Sequence, residues 1–84
     1  MIYVYCLKSI KTGKRYVGMT NNIERRVNEH NKGLNKSTKA FAPYKLLFCE
    51  TFEIRVDARK REIYLKSGSG REFIKANWLR GATE

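Results

Sequence analysis

The sequence predicts an α+β fold, a small α/β sandwich in which helices flank a three-stranded, mainly antiparallel sheet in the order β-β-α-β-α-α. A short glycine-containing loop joins two β-branched and aromatic runs, as in a β-hairpin. A third apolar run lies between charged segments with helical character. The chain has 84 residues, one Pro and no linker-like stretch, so we expect one domain over residues 1–80 and a tail at 81–84.

The three strands are predicted from their apolar, β-branched composition. Residues 2–7 are β-branched and aromatic, which is typical of a central strand buried on both faces. The polar loop at 11–14 contains a glycine that can adopt a turn conformation, and residues 15–18 resume as the second strand. The third strand, residues 44–51, follows Pro43. The first two strands therefore form a hairpin.

The first helix begins after the hairpin. Asn22 is suited to cap its N-terminus, and Glu24 places negative charge in its first turn. We expect the helix to reach about Lys32, where Gly33 ends it. Residues 34–42 then form a polar, basic loop.

Two further helices are expected after the third strand. Residues 57–66 form the second helix, and the Gly-Ser-Gly sequence at 68–70 is predicted to break it. Residues 71–79 form the third helix. The predicted fold therefore ends with two helices in succession.

The strongest compositional signal is positive charge. Eighteen Lys and Arg against eight Asp and Glu give a net charge of +10, which favours a polyanionic partner. The basic residues are spread along the chain, so nucleic acid is favoured over a membrane surface. The alternative is a generically basic soluble protein. The sequence has no apolar run long enough to span a bilayer and no secretory pattern at its start, so we expect a cytoplasmic protein.

The metal-ligating residue types are few. Cys6, Cys49 and His30 cannot supply the four ligands of a structural zinc site. In a cytoplasmic chain, two cysteines are expected to be buried thiols. The sequence therefore argues against structural zinc.

Residues suited to phosphodiester chemistry occur in a characteristic order. The predicted hairpin contains Tyr3-Val4-Tyr5 and Tyr16-Val17-Gly18. Arg26 and His30 are four residues apart in the first helix, so they project from nearly the same edge. Glu62 lies further on, in a basic helix. These parts offer hydroxyls for a water, a cation for a phosphate and a carboxylate for a metal.

The same residues resemble the GIY-YIG nucleases in their minimal, single-domain form, over residues 2–78. The tripeptides stand where that family has Gly-Ile-Tyr and Tyr-Ile-Gly. Residues 18–30 are similar to its pattern Gly-x-Thr-x-x-hydrophobic-x-x-Arg-hydrophobic-x-x-His, and Glu62 stands where it keeps a glutamate. The family includes the incision subunit of excision repair and homing endonucleases. The chain departs from the pattern at Tyr3, which replaces a glycine, and at Met19, where some relatives have a lysine.

The resemblance implies an endonuclease that hydrolyses DNA phosphodiester bonds with Mg²⁺ or Mn²⁺ and no small-molecule cofactor. Glu62 would be the metal ligand, and Arg26 would clamp the scissile phosphate. Tyr5 and Tyr16 would line the site and orient or deprotonate the water. An ordinary phenol, with a pKa of about 10, is a weak base, so a metal or cation would have to assist. His30 would share a proton with a tyrosine hydroxyl or bind the phosphate.

DNA is the expected partner, with branched and damaged DNA as candidate substrates and low sequence specificity. Lys8, Arg25 and Lys39 are the expected contacts to its backbone, and of Arg25 and Arg26, Arg25 is the better candidate for a plain surface charge. A protein partner for targeting is a further expectation.

Each site residue also has a structural interpretation. The tyrosines can be core residues with exposed hydroxyls. Glu62 can pair with Arg59 and Lys66 on its own helix, three and four residues away. On that interpretation the chain is a non-catalytic basic nucleic-acid-binding module or an accessory subunit that keeps the fold.

Overall fold

The structure, a computed structural model, describes residues 1–79, and the predicted tail at 81–84 lies outside them. It confirms the α+β fold and the predicted order of elements. The elements are β1 (Ile2–Ser9), β2 (Arg15–Thr20), α1 (Ile23–Asn31), a 3₁₀ turn (Lys39–Phe41), β3 (Tyr44–Phe52), α2 (Arg55–Lys66), α3 (Gly68–Ile74) and a closing π-helical turn (Lys75–Leu79).

The sheet is antiparallel throughout, with the strand order β2-β1-β3. Its apolar first strand is therefore central, as predicted. Gly13 adopts a φ of +78° in the hairpin loop, a conformation that L side chains rarely adopt. The hairpin register pairs Tyr5 with Gly18 and Leu7 with Tyr16, which brings the two tyrosine motifs side by side.

Alternation along β1 divides the interior into two layers, because successive side chains of a strand point to opposite faces. Val4 and Cys6 pack in a core cluster with residues of α2 and α3. Tyr5 and Leu7 pack on the other face in a cluster that includes residues of α1. Helices therefore cover both faces of the sheet, and the tyrosine motifs face α1.

The boundaries of α1 agree with the predicted caps. The Asn22 side chain accepts a hydrogen bond of 3.0 Å from the Arg25 backbone N–H, as an N-cap residue does. Gly33, with a φ of +75°, follows the C-terminus. The loop that follows is not fully irregular, because Lys39–Phe41 forms a 3₁₀ turn.

The last helices differ from the prediction. Helix α2 begins at Arg55, two residues before the predicted start. The Gly-Ser-Gly sequence opens α3, with the Ser67 side chain accepting from the Gly70 backbone N–H at 3.2 Å. A Cβ on Gly70 would lie 2.5 Å from the Leu65 Cα. The missing side chain therefore lets α3 pack against the end of α2, which the sequence pattern does not reveal.

The two cysteines are free thiols in different environments. Cys6 is buried, as predicted, and burial raises the pKa of its thiol to about 11. Cys49 on β3 is exposed, so the prediction of a buried thiol there is wrong. Within residues 1–79, no helix is long and apolar enough to cross a membrane.

Candidate active site

The Tyr5 hydroxyl forms hydrogen bonds with two other side chains that the sequence motif indicates. It lies 2.9 Å from His30 Nε2, and it accepts a hydrogen bond from Arg26 Nε at 3.3 Å. Only 1% of Tyr5 is exposed, and His30 is fully buried. The sheet and α1 thus hold a phenol, an imidazole and a guanidinium in one hydrogen-bonded group, which we call the Tyr5 cluster.

The second nitrogen of His30 is also held. Nδ1 lies 2.7 Å from Thr38 Oγ1, and the Thr38 hydroxyl is placed to donate to the Asn35 carbonyl at 3.4 Å. A hydroxyl has one proton to donate, so Thr38 then accepts from a protonated Nδ1. His30 Nε2 is left as the acceptor for the Tyr5 hydroxyl. Tyr44 completes the support by donating to the Thr38 carbonyl at 3.0 Å.

The pKa shifts of Tyr5 and His30 favour their neutral forms. Burial, helped by the positive charge of Arg26, lowers the pKa of His30. Burial raises the pKa of Tyr5, although the hydrogen bond from Arg26 opposes the shift. Near neutral pH the pair is therefore a phenol that donates to a neutral imidazole. Transfer of the Tyr5 proton to His30 Nε2 would give an imidazolium and a phenolate that lies beside Arg26.

Tyr16 is the more accessible of the two motif tyrosines. It is half-buried, and its ring centroid lies 5.0 Å from that of His30 and 6.3 Å from that of Tyr5. Within the described part of the chain, its hydroxyl makes no hydrogen bond. It is therefore free to bind a water or a substrate oxygen.

Gly18 shapes the space between the two tyrosines. A Cβ at this position would lie 2.6 Å from Tyr5 Cζ and 3.0 Å from Tyr16 Cε2, and it would overlap the Tyr5 hydroxyl. The predicted close approach at Gly18 thus involves the tyrosine rings.

Arg26 is held on two sides. Besides Tyr5, its Nη1 donates to Glu29 Oε1 at 2.9 Å, and 27% of its side chain is exposed. The neighbouring Arg25 is 58% exposed and pairs with Glu29 at 3.6 Å and Asn21 at 3.3 Å. Arg26 therefore belongs to the Tyr5 cluster, and Arg25 lies on the surface.

Glu62 is a buried carboxylate on α2. It is 6% exposed, and Arg59 Nη1 lies 2.8 Å from its Oε1 while Lys66 Nζ lies 3.0 Å from its Oε2. Burial is the largest cause that raises the pKa of Tyr5, and the negative charge of Glu62 adds to it.

A divalent metal fits this donor chemistry only as a one-carboxylate site. Among residues 1–79, no group of three or more His, Cys, Asp or Glu could hold an ion. Mg²⁺ is commonly bound by one or two carboxylates, with waters and substrate phosphates as the remaining ligands. Glu62 can serve in this way once Arg59 and Lys66, which are 61% and 51% exposed, release its oxygens.

The three predicted DNA contacts make no hydrogen bond to Tyr5 or His30 among the described residues. Lys8 lines a cavity of about 530 Å³ at the hairpin end, together with Lys11 and Lys45. Lys39 is exposed in the 3₁₀ turn beside Gly33.

The comparisons with known proteins agree with this arrangement. The GIY-YIG catalytic domain matches residues 1–75. The chain belongs to the GIY-YIG family. The match confirms the family resemblance of the sequence. The family is a superfamily of nucleases, whose members generally use divalent metal ions.

The similar proteins are small bacterial proteins. A UPF0213 protein of Clostridium perfringens is 45% identical over 67 residues, covering 79% of this chain and 71% of that protein. One of Staphylococcus saprophyticus is 36% identical over 74 residues, covering 87% and 89%. The solution NMR structure of a UPF0213 protein from Bacillus halodurans has a TM-score of 0.55 at 30% identity, covering 90% of this chain and 84% of that chain.

Three contributors to the site were missed at the sequence level. Thr38 fixes His30, Glu29 fixes Arg26, and Asn31 bonds both backbone groups of Tyr44, at 2.6 and 3.2 Å. The three-residue spacing from Arg26 to Glu29 could have revealed that pair. Nothing in the sequence marks Thr38 or Asn31 as partners of distant residues.

Proposed function

We propose that this protein is a metal-dependent endonuclease that hydrolyses DNA phosphodiester bonds with low sequence specificity. The observation that carries the proposal is the convergence of Arg26 Nε and His30 Nε2 on the Tyr5 hydroxyl, beside the accessible Tyr16. The net charge of +10 favours a polyanionic substrate. Branched or damaged DNA, Mg²⁺ or Mn²⁺, and a protein partner for targeting belong to this proposal.

Arg26 binds the scissile phosphate. A guanidinium stays charged and can donate two parallel hydrogen bonds to phosphate oxygens. The Tyr5 and Glu29 bonds use Nε and one N–H of Nη1, so Nη2 and the second N–H of Nη1 remain for the substrate among the described contacts. Fixing the side chain before binding reduces the cost of ordering it on DNA.

Tyr16 orients the attacking water. Tyr16 is half-buried, its hydroxyl makes no hydrogen bond among the described residues, and its ring lies next to that of His30. Tyr5 and His30 are too buried to meet the substrate directly, so they act as positioning residues. The Tyr5 hydroxyl holds Arg26, and its bond to the neutral His30 gives the site a proton acceptor.

Glu62 holds the metal ion. When bound, such an ion neutralises charge on the phosphate and promotes ionisation of the attacking water. Arg59 and Lys66 balance the carboxylate in the free protein, and their exposed side chains can turn to DNA phosphates when they release it. Lys8, Arg25 and Lys39 are proposed backbone contacts on the surrounding surface. The activity is placed in the cytoplasm, where the free thiols stay reduced.

One observation favours a second function. Glu62 is already neutralised by two cations of its own helix, as in an ordinary structural ion-pair network. A protein in which those pairs persist would bind nucleic acid without cutting it. Such a module would keep the fold and its charge and would act as an accessory subunit.

A cleavage assay separates these two functions. Labelled branched and plain DNA are incubated with the protein in Mg²⁺ or Mn²⁺, with EDTA as the metal-free control. Glu62→Gln removes the carboxylate, and Glu72→Gln makes the same change at an exposed position on α3. We expect cleavage by the wild type and Glu72→Gln, and none by Glu62→Gln or in EDTA. Cleavage that persists in Glu62→Gln would contradict the proposal, and the absence of wild-type cleavage would favour the binding module.

A further inference from the structure

A second cationic site lies beside β2, an edge strand of the sheet. A groove of about 520 Å³ runs between β2 and the helices α2 and α3. Its lining includes four basic residues and no acidic residue within the described part of the chain, namely Lys14, Arg15, Lys66 and Arg71. Most of these were given no role by the sequence motifs or by the candidate active site.

The two arginines of this groove have no acidic partner. Arg15 on β2 and Arg71 on α3 are exposed, and neither side chain forms an ion pair within residues 1–79. Other arginines of this chain, such as Arg59 and Arg61, are paired with a carboxylate. Two unpaired guanidiniums in one groove form a region of positive potential without an internal counterion.

The groove continues to the candidate active site. Tyr16 lines its end, and Lys66, which also lines it, holds Glu62 Oε2 at 3.0 Å. Its apolar floor is formed by Val17, Leu65 and Ile74. An unpaired nucleotide offers both a charged phosphate and an apolar base face, and a positively charged groove with an aromatic side chain is the usual binding site for a single strand.

We propose that this groove binds one unpaired strand of nucleic acid, with Arg15 and Arg71 contacting its phosphates and Tyr16 bordering the strand where the groove meets the candidate active site. The inference deepens the proposed function, because the groove would lead the strand to Tyr16 and Glu62. It also specifies the substrate class. The preferred DNA would have a single-stranded segment next to the cut, rather than being a continuous duplex.

Binding measured in EDTA tests the groove independently of cleavage. Fluorescence anisotropy would compare a labelled oligodeoxythymidine with a blunt duplex of equal length over a range of salt concentrations. We expect Arg15→Ala/Arg71→Ala to weaken single-strand binding about tenfold. Its salt slope should fall by about 1.4, since each single-strand phosphate contact contributes about 0.7.

Two matched variants control for charge and folding. Lys32→Ala/Lys36→Ala removes the same charge from exposed positions after α1 and should change single-strand binding less than twofold. Arg15→Lys/Arg71→Lys keeps the charge and should retain most of the affinity. Equal losses in the two alanine variants would overturn the proposal. So would tighter binding of duplex than of single strand by the wild type, or no measurable binding of the single strand.

The outcome is distinguishable from failure of the proposed function. If the wild type binds the single strand in EDTA but cleaves no DNA with a divalent metal, the nuclease proposal fails and the groove remains a binding site. If the wild type cleaves DNA but Arg15→Ala/Arg71→Ala binds the single strand as tightly as the wild type does, the groove proposal fails and the nuclease proposal stands.

Discussion

The backbone of Gly18 lies beneath the phenol of Tyr5 with no room for a methyl group between them. The hairpin register places these two residues directly opposite each other on β1 and β2. Because the Tyr5 hydroxyl also bonds His30 and Arg26, it cannot move aside without breaking those contacts. A backbone requirement on one strand is therefore coupled to the geometry of the candidate active site.

Gly18→Ala should therefore destabilise the protein. The added methyl group would overlap the Tyr5 hydroxyl, and overpacking of this kind costs about 1–3 kcal/mol. Urea denaturation would measure the loss as a lower free energy of unfolding. Gly68→Ala is the matched control, because no atom lies within 4 Å of a Cβ at that position. A Gly18→Ala protein as stable as Gly68→Ala would disprove the tight contact.

The stability of the protein should fall as the pH is lowered through the range of His30. The pKa of this buried side chain is lowered in the folded state, whereas the unfolded chain titrates near 6.5. Above about pH 6.5 the imidazole is neutral in the folded and unfolded states, so His30 causes no loss in the free energy of unfolding. Below that pH the unfolded state binds the proton first, so stability is lost until the lower folded pKa is reached. The slope for one proton cannot exceed about 1.4 kcal/mol per pH unit.

Urea denaturation of the wild type and His30→Gln over about pH 5 to 7.5 checks this dependence. His30 is the only histidine, so the variant should lose the slope even if its overall stability is lower. Carboxylates titrate mainly below this range and provide a common background. The same slope in both proteins would show that His30 is not the titrating group.

The sequence was most informative where the cause of a structure is local. The Asn22 cap, the turn at Gly13 and the ion pairs of Glu62 depend on neighbours within four residues, and spacing alone indicates them. The role of Gly70 was misjudged because its cause is tertiary, the contact between α3 and the end of α2. A glycine pattern alone does not distinguish a helix break from a close helix contact.

The candidate site follows the same rule. The family motif indicated Tyr5, Arg26 and His30 as a set, and the structure brings them into hydrogen-bonding distance. Thr38 could not be assigned in advance, because a threonine in a polar loop has no local feature that connects it with His30. The near-complete burial of Tyr5 and His30, in contrast to the half-buried Tyr16, depends on how α1 packs on the sheet.

Arg26→Lys should reduce activity strongly without loss of the fold. A lysine keeps the positive charge but lacks the planar guanidinium that bonds Tyr5 and Glu29 while contacting the phosphate. Loss of a positioned cation or donor in a transition state typically costs about 100-fold or more. The value of kcat/KM on labelled DNA would measure this effect.

Arg25→Lys provides the control for this substitution. It makes the same chemical change at the adjacent residue, which lies outside the Tyr5 cluster, and should alter kcat/KM less than about threefold because exposed ion pairs contribute little. Equal effects of the two substitutions would show that Arg26 has no special role. Circular dichroism spectra would establish that both variants retain the fold.

The ion pair between Arg59 and Glu62 should compete with metal binding. Arg59→Ala frees one carboxylate oxygen, and the pair to be broken is worth at most about 1 kcal/mol because the arginine is largely exposed. The Mg²⁺ concentration that gives half-maximal cleavage should therefore fall about two- to fivefold. Initial rates titrated with Mg²⁺ measure this shift, and Mn²⁺-dependent thermal stabilisation provides a readout without cleavage.

Arg55→Ala removes an exposed arginine from the first turn of the same helix and should leave the Mg²⁺ requirement unchanged. If Arg59→Ala instead raises the Mg²⁺ requirement, the arginine supports the metal site, and the idea of competition at Glu62 is wrong.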